Sequence, residues 1–110
     1  MKLGPVGVWG FLDAMPADEV AALARRLEAL GYAALWVPEA VGRDPFALLG
    51  FLAARTERLV LATGIANIYA RDPMAMRAIQ QTMAELSGGR FVLGLGVSHQ
   101  HLVTGLRGHD

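Results

Sequence analysis

The sequence predicts an α/β fold: the N-terminal half of a (β/α)8 TIM barrel, four parallel strands with three intervening helices. Three observations predict it. Short apolar runs rich in β-branched residues fall at 6–9, 33–37, 59–63 and 91–95, and runs of that length and character make strands covered on both faces. Their starts recur about every 30 residues, the length of a βαβ unit, and connections that long join parallel strands through right-handed crossovers. Eight such units close a barrel of about 250 residues, so the 110 residues here amount to a single partial domain, strands one to four. The stretch from Gly105 to Asp110 reads as a loop with no helix after the fourth strand. That favours part of a barrel over a complete, flavodoxin-like open sheet.

The first helix is expected over about 16–30. Val20, Leu23, Ala24, Leu27 and Leu30 recur on one face, and Asp18, Glu19, Arg25, Arg26 and Glu28 take the other. Asp18 and Glu19 sit in the first turn, where the helix dipole favours negative charge, and Gly31 supplies a left-handed stop. The second helix opens at Asp44-Pro45, an N-cap followed by a proline at the first helical position. It runs through Leu48, Leu49 and Leu52 and frays over 55–58. The third opens on the same pair, Asp72-Pro73, turns Met76, Ile79, Met83 and Leu86 inward, and stops at Gly88-Gly89.

Hydrophobic residues make up 54% of the chain and charged ones only 18%, with a mean hydropathy of +0.37. A small domain has a large surface to cover, so this much apolar character fits strands covered on both sides. Ten basic and ten acidic residues cancel and are scattered singly, which excludes the basic stripe of a nucleic-acid or membrane-surface binder. Cysteine is absent, so there is no disulfide or thiolate chemistry. No run resembles a signal peptide or a membrane span, and the cytoplasm is the expected compartment.

Three segments carry more specific information: ALWVPE at 34–39, ATGIANIYARDP at 62–73 and GRFVLGLGVSH at 89–99. In this order they resemble the N-terminal half of the bacterial luciferase-like family, flavin- or deazaflavin-dependent oxidoreductases with a TIM barrel. The IYARDP variant at 68–73 is similar to members that use the deazaflavin coenzyme F420, with FMN as the alternative cofactor. The resemblance implies hydride transfer to or from the cofactor, or monooxygenation with reduced flavin and dioxygen, on a small-molecule substrate. In the family, strands five to eight hold much of the cofactor phosphate. The alternative from another class is a non-catalytic half-barrel whose open strand edges drive it into a homo-oligomer.

Functional groups of a parallel barrel sit just past the C-terminal ends of its strands. That rule picks 10–13, 38–40, 64–67 and 96–99. Thr63, Gly64, Ile65, Ala66 and Asn67 are the candidate cofactor loop. The resemblance implies a bulge here with a non-proline cis peptide against which the cofactor ring leans; the simpler reading is an ordinary turn that needs a glycine. Glu39, at a strand end among apolar neighbours, is a candidate acid or base, or else a solvated carboxylate or an ion-pair partner. His99 is the second catalytic candidate, and Gly96 and Ser98 are candidate cofactor contacts where a glycine admits close approach. The Gly94-Leu95-Gly96 start resembles a dinucleotide fingerprint, but position six is His99 and no helix follows, so a nicotinamide fold is not supported. His99 and His101 would share a strand face, yet no third ligand is near, and no metal is expected. Trp9, Phe11 and Trp36 are either core or stacking surfaces. Met74, Met76 and Met83 read as packing. Arg71 and Arg77 face a phosphate or simply mark a solvated helix start.

Overall fold

The structure, a computed structural model, describes Gly4 and residues 6–97. Strands β1 (Gly7–Trp9), β2 (Ala34–Val37), β3 (Val60–Thr63) and β5 (Phe91–Val92) form one parallel sheet in that order. Helices α1 (Ala17–Ala29), α2 (Pro45–Ala53) and α3 (Pro73–Leu86) connect them. Two further short strands, β4 (Ala66–Asn67) and β6 (Leu95–Gly96), pair in parallel beyond β3 and β5. The third and fourth expected strands therefore each come in two pieces, broken at Gly64-Ile65 and at Leu93-Gly94. Apart from these breaks, the four-strand, three-helix half of a (β/α)8 barrel is the arrangement that the spacing predicts.

Side chains alternate across the sheet as strand geometry requires. Leu35, Val37, Leu61 and Phe91 turn toward the helices and join Val20, Leu27, Leu49, Leu52 and Met83 in the core. The intervening row pairs Trp9 with Trp36, Trp36 with Ala62 and Ala62 with Val92. That row faces what is the interior in a closed barrel.

The helix ends behave as their residues dictate. Asp44 accepts from the Ala47 N–H at 2.7 Å and Asp72 from the Ala75 N–H at 2.7 Å, each followed by a proline that gives up no helical hydrogen bond. Gly31 has φ +88°, and Gly88 and Gly89 have φ +63° and +84°, the left-handed stops that the sequence provides. Met74, expected to pack, is 83% exposed in the first turn of α3, and the apolar helix faces fail at Leu30 and Leu86, which are 63% and 53% exposed. Each of these leucines lies at the last turn of its helix, beyond the sheet, and Leu86 rests on Gly50 at the outer lip between α2 and α3. No described helix is long and apolar enough to cross a membrane.

Glu28 also departs from the solvated face expected for it. Its carboxylate accepts from three successive backbone N–H groups, Glu57 at 2.9 Å, Arg58 at 2.5 Å and Leu59 at 2.6 Å, and so shapes the turn that launches β3. Burial pushes its pKa up, but the hydrogen bonds from Arg58, Leu59 and Glu57 and the charge of Arg58 outweigh that and hold it below the ordinary value. A depressed carboxylate stabilises the fold above its unfolded pKa of about 4.3, and that contribution disappears as pH falls through the lower folded value. Glu28→Gln is therefore expected to lower the urea midpoint at neutral pH and to match wild type once both are acidified well below that range. A gap that stays constant with pH would contradict this role.

Candidate functional site

The site is built at the C-terminal ends of β1, β2 and β3, where α/β barrels keep their chemistry. The peptide bond between Gly64 and Ile65 is cis and not prolyl, the feature expected from the resemblance. Every neighbouring strand grips this bulge. The Gly64 N–H donates to the Val37 carbonyl at 2.9 Å, and the Trp9 indole Nε1 donates to the Gly64 carbonyl at 2.7 Å. Glu39 N–H donates to the Ile65 carbonyl at 3.0 Å, Ala66 N–H to the Gly94 carbonyl at 2.7 Å, and Ile68 N–H to the Gly96 carbonyl at 3.0 Å. A Cβ built on Gly64 would touch Trp9 and Trp36 at 3.3–3.4 Å, so both indoles lie against the bulge on the interior side.

A charged cluster holds the loop from its other side. Glu39 Oε1 accepts from the Asn67 N–H at 2.8 Å, and Arg71 grips both carboxylate oxygens of Glu39 at 2.9 Å. The same guanidinium reaches Asp44 Oδ1 at 2.5 Å, while Asp44 Oδ2 caps α2. Arg71 also lies over the Phe46 ring, 4.6 Å from its centroid. Burial pushes the Arg71 guanidinium down, but hydrogen bonding and charge from Glu39 and Asp44 prevail and hold its pKa above the usual value. Its side chain is 15% exposed and that of Glu39 only 6%. Arg71 is thus no solvated helix start, and its charge is matched by two carboxylates. Glu39 takes the ion-pair reading of the two that the sequence left open: both of its oxygens are occupied, so it holds structure where an acid or base was expected.

Several other candidate residues are buried. Thr63 and Ala66 are 0% exposed and offer a cofactor no surface. The Thr63 hydroxyl is used twice by Gly94, donating to its carbonyl at 2.8 Å and accepting from its N–H at 2.9 Å. Gly96 does not leave space for a ligand: a Cβ there would lie 2.2 Å from Ile65 Cδ1, so the Ile65 side chain fills that gap. Asn67 is 2% exposed and its Oδ1 accepts from the Tyr69 N–H at 2.8 Å. What remains open is the part-exposed Gly64 and Ile65, 37% exposed, beside the 59% exposed Trp9. Ser98 and His99 lie outside the described residues, as does His101. Sequence reasoning named Trp9 only as core or stacking surface; nothing in its spacing announces the hydrogen bond to Gly64.

The open surface is apolar and backed by hydrogen-bonded backbone, a chemistry that suits an aromatic ring. It does not fit a phosphate, because the nearby guanidinium of Arg71 is already neutralised by two carboxylates. Two recesses lined by described residues lie beside it. One of about 190 Å³, lined by Ile68, Arg71, Pro73, Met76 and Leu95, is on the α3 side of β4 and β6. It is smaller than the roughly 300–1,000 Å³ typical of ligand pockets. The other, about 360 Å³, runs between α2 and α3 from Phe46 to Leu86.

Fold and site together define the N-terminal half of a parallel α/β barrel with a gripped bulge at its strand ends. The chain belongs to the luciferase-like monooxygenase family, whose profile matches residues 3–110. It is 38% identical over 109 residues to a protein of Mycobacterium tuberculosis provisionally named a coenzyme F420-dependent oxidoreductase, covering 98% of this chain and 30% of that one. It is 32% identical over 91 residues to a 5,10-methylenetetrahydromethanopterin reductase of Methanolobus tindarius, covering 82% of this chain and 28% of the relative. The chain thus spans about 30% of the relatives it matches. Among solved structures, the F420-dependent tetrahydromethanopterin reductase of Methanopyrus kandleri superposes with a TM-score of 0.85 at 22% identity, over 97% of this chain and 30% of that one. The oxygenating constituent of 3,6-diketocamphane monooxygenase from Pseudomonas putida, in complex with FMN, gives 0.83 at 15% identity, over 97% and 33%. At these identities the two structures speak for the fold alone.

Proposed function

We propose that this chain is the cofactor-holding half of an F420-dependent oxidoreductase acting on a small-molecule substrate, with FMN as the alternative cofactor. The observation that carries this reading is the Gly64–Ile65 bulge, part-exposed at Gly64, open at Ile65 and held by hydrogen bonds from its neighbours. The F420 assignment is supported by the IYARDP segment at 68–73 and by the name of the Mycobacterium tuberculosis relative at 38% identity. A bound deazaflavin or flavin supplies the hydride or electron pair exchanged with substrate. The chain's own residues do the rest. Ile65 and the peptide before it back the ring, Trp9 fixes the Gly64 carbonyl, and the apolar interior row keeps water from that face. With Glu39 occupied by Arg71, His99 is the remaining candidate for handling a proton.

The only tryptophans are Trp9 and Trp36, and both touch the bulge, so their fluorescence reports directly on a ligand placed there. Titration with coenzyme F420 is expected to quench this emission at lower concentration than FMN does. Tighter binding of FMN would overturn the deazaflavin assignment, and no response to either cofactor would overturn the site.

A further inference from the structure

We propose that Glu39 and Arg71 form a positioning clamp that sets the orientation of the Gly64–Asn67 bulge, with Arg71 as a positioning residue that acts through Glu39. The inference rests on the cofactor reading above for its functional consequence, and on geometry alone for the clamp. Glu39 holds the bulge twice, by its own N–H to the Ile65 carbonyl and by its carboxylate to the Asn67 N–H. These two bonds straddle Ile65 and Ala66, so displacing Glu39 tilts the peptide plane on which Ile65 is presented. A lone glutamate has free rotamers. Arg71 removes them with a two-pronged contact that fixes the plane of the carboxylate. Arg71 is in turn held by Asp44 and the face of Phe46, both in the opening turn of α2. The orientation of the bulge is thereby referred to a helix end and is independent of the mobility of its own loop.

Magnitudes separate this role from simple stabilisation. Desolvating a buried ion pair cancels most of its attraction, so apolar replacement of both partners is often neutral for stability, whereas removing one partner is not. Asp44 keeps its cap on α2 without Arg71, because the cap uses its other oxygen, and at 47% exposure its charge stays solvated. A pair that contributes little to stability yet fixes both its own geometry and that of a loop is suited to positioning.

The test is the double variant Glu39→Met/Arg71→Met, which leaves no unpaired buried charge, compared with wild type and with Arg71→Lys. Three readouts are taken: thermal midpoint, ¹⁵N-amide shifts, and affinity for coenzyme F420 and FMN. The clamp predicts a midpoint modestly below wild type for the double variant, the drop reflecting the Asn67 N–H that loses its acceptor. It predicts that the Asn67 amide proton moves upfield as its carboxylate acceptor is lost, with accompanying shifts at Gly64 and Ile65. Affinity for whichever cofactor binds is expected to fall about tenfold, equivalent to about 1.4 kcal/mol. Arg71→Lys keeps the charge but loses the fork, and is expected to reproduce part of the loss. Unmoved amides at Gly64, Ile65 and Asn67 would overturn the clamp, whatever the cofactor does. Shifted amides with neither cofactor bound by wild type would leave the clamp standing and overturn the cofactor reading instead.

Discussion

Arg90→Met is expected to lower the unfolding free energy by about 3–5 kcal/mol, seen as a large drop in urea midpoint with little change in the slope. Arg90 sits between the C-terminal ends of two helices and spreads its donors over carbonyl and hydroxyl oxygens. Nε donates to the Ser87 carbonyl at 2.7 Å, at the end of α3. One terminal nitrogen reaches the Leu59 carbonyl at 2.8 Å and the Thr56 hydroxyl at 3.0 Å. The other reaches the Ala53 carbonyl, the last residue of α2, at 3.1 Å and the Thr56 carbonyl at 3.2 Å. Helix C-termini present unpaired carbonyls and a partial negative charge, and a half-buried guanidinium answers both needs at once. Methionine fills similar volume but donates to none of these oxygens, and orphaned buried acceptors cost far more than a made hydrogen bond contributes. Lysine, a compact point charge, cannot span five acceptors and is expected to recover only part of the loss. A midpoint for Arg90→Met within the scatter of wild type would show that water replaces the side chain at no cost.

Gly94→Ala is the second large effect, expected at about 3 kcal/mol or more. A Cβ at Gly94 would lie 2.2 Å from the Thr63 carbonyl oxygen and 3.4 Å from its carbon. Both belong to backbone, which cannot swing aside as a side-chain tip would. Accommodating the methyl group requires β3 and β5 to separate, breaking the two hydrogen bonds that the Thr63 hydroxyl exchanges with Gly94. Gly50→Ala is the matched control. Its Cβ would meet Leu86 and Met83 at an ordinary 3.8 Å, and alanine favours a helix interior over glycine by about 0.5–1 kcal/mol. That variant is expected to be neutral or slightly stabilising. Equal effects at the two glycines would mean that the strand spacing around Gly94 is softer than the structure portrays it.

These two residues mark the boundary of what the sequence reveals. The βα alternation was legible because both periodicities are strong: apolar strand runs at regular spacing, and Asp-Pro entries with glycine stops around the helices. The break in the third strand was legible only through the family resemblance, since a glycine after a strand by itself indicates no more than a turn. Three charged residues conceal their partners for one physical reason. Glu28, Glu39 and Arg71 each stand at a place that looks solvated when a helix or loop is considered alone. Their partners are 28–32 residues away, one βα unit along the chain, and pairings across that distance leave no local signal. Thr63 failed as a ligand contact in the same manner: its hydroxyl is used up by Gly94, 31 residues on. Leu30 and Leu86 obey helical periodicity but overrun the sheet, because periodicity specifies a face and not where the covering layer ends.

The most direct test of the cofactor site is the map of ¹⁵N-amide shifts as coenzyme F420 is added to this chain. Ring docking against the bulge predicts that the largest changes fall on Gly64, Ile65 and the Trp9 indole N–H, with residues 38–40 next and the Glu28 turn unmoved. Changes centred on the groove between α2 and α3, or spread evenly over the surface, would contradict a cofactor site at the ends of β1, β2 and β3.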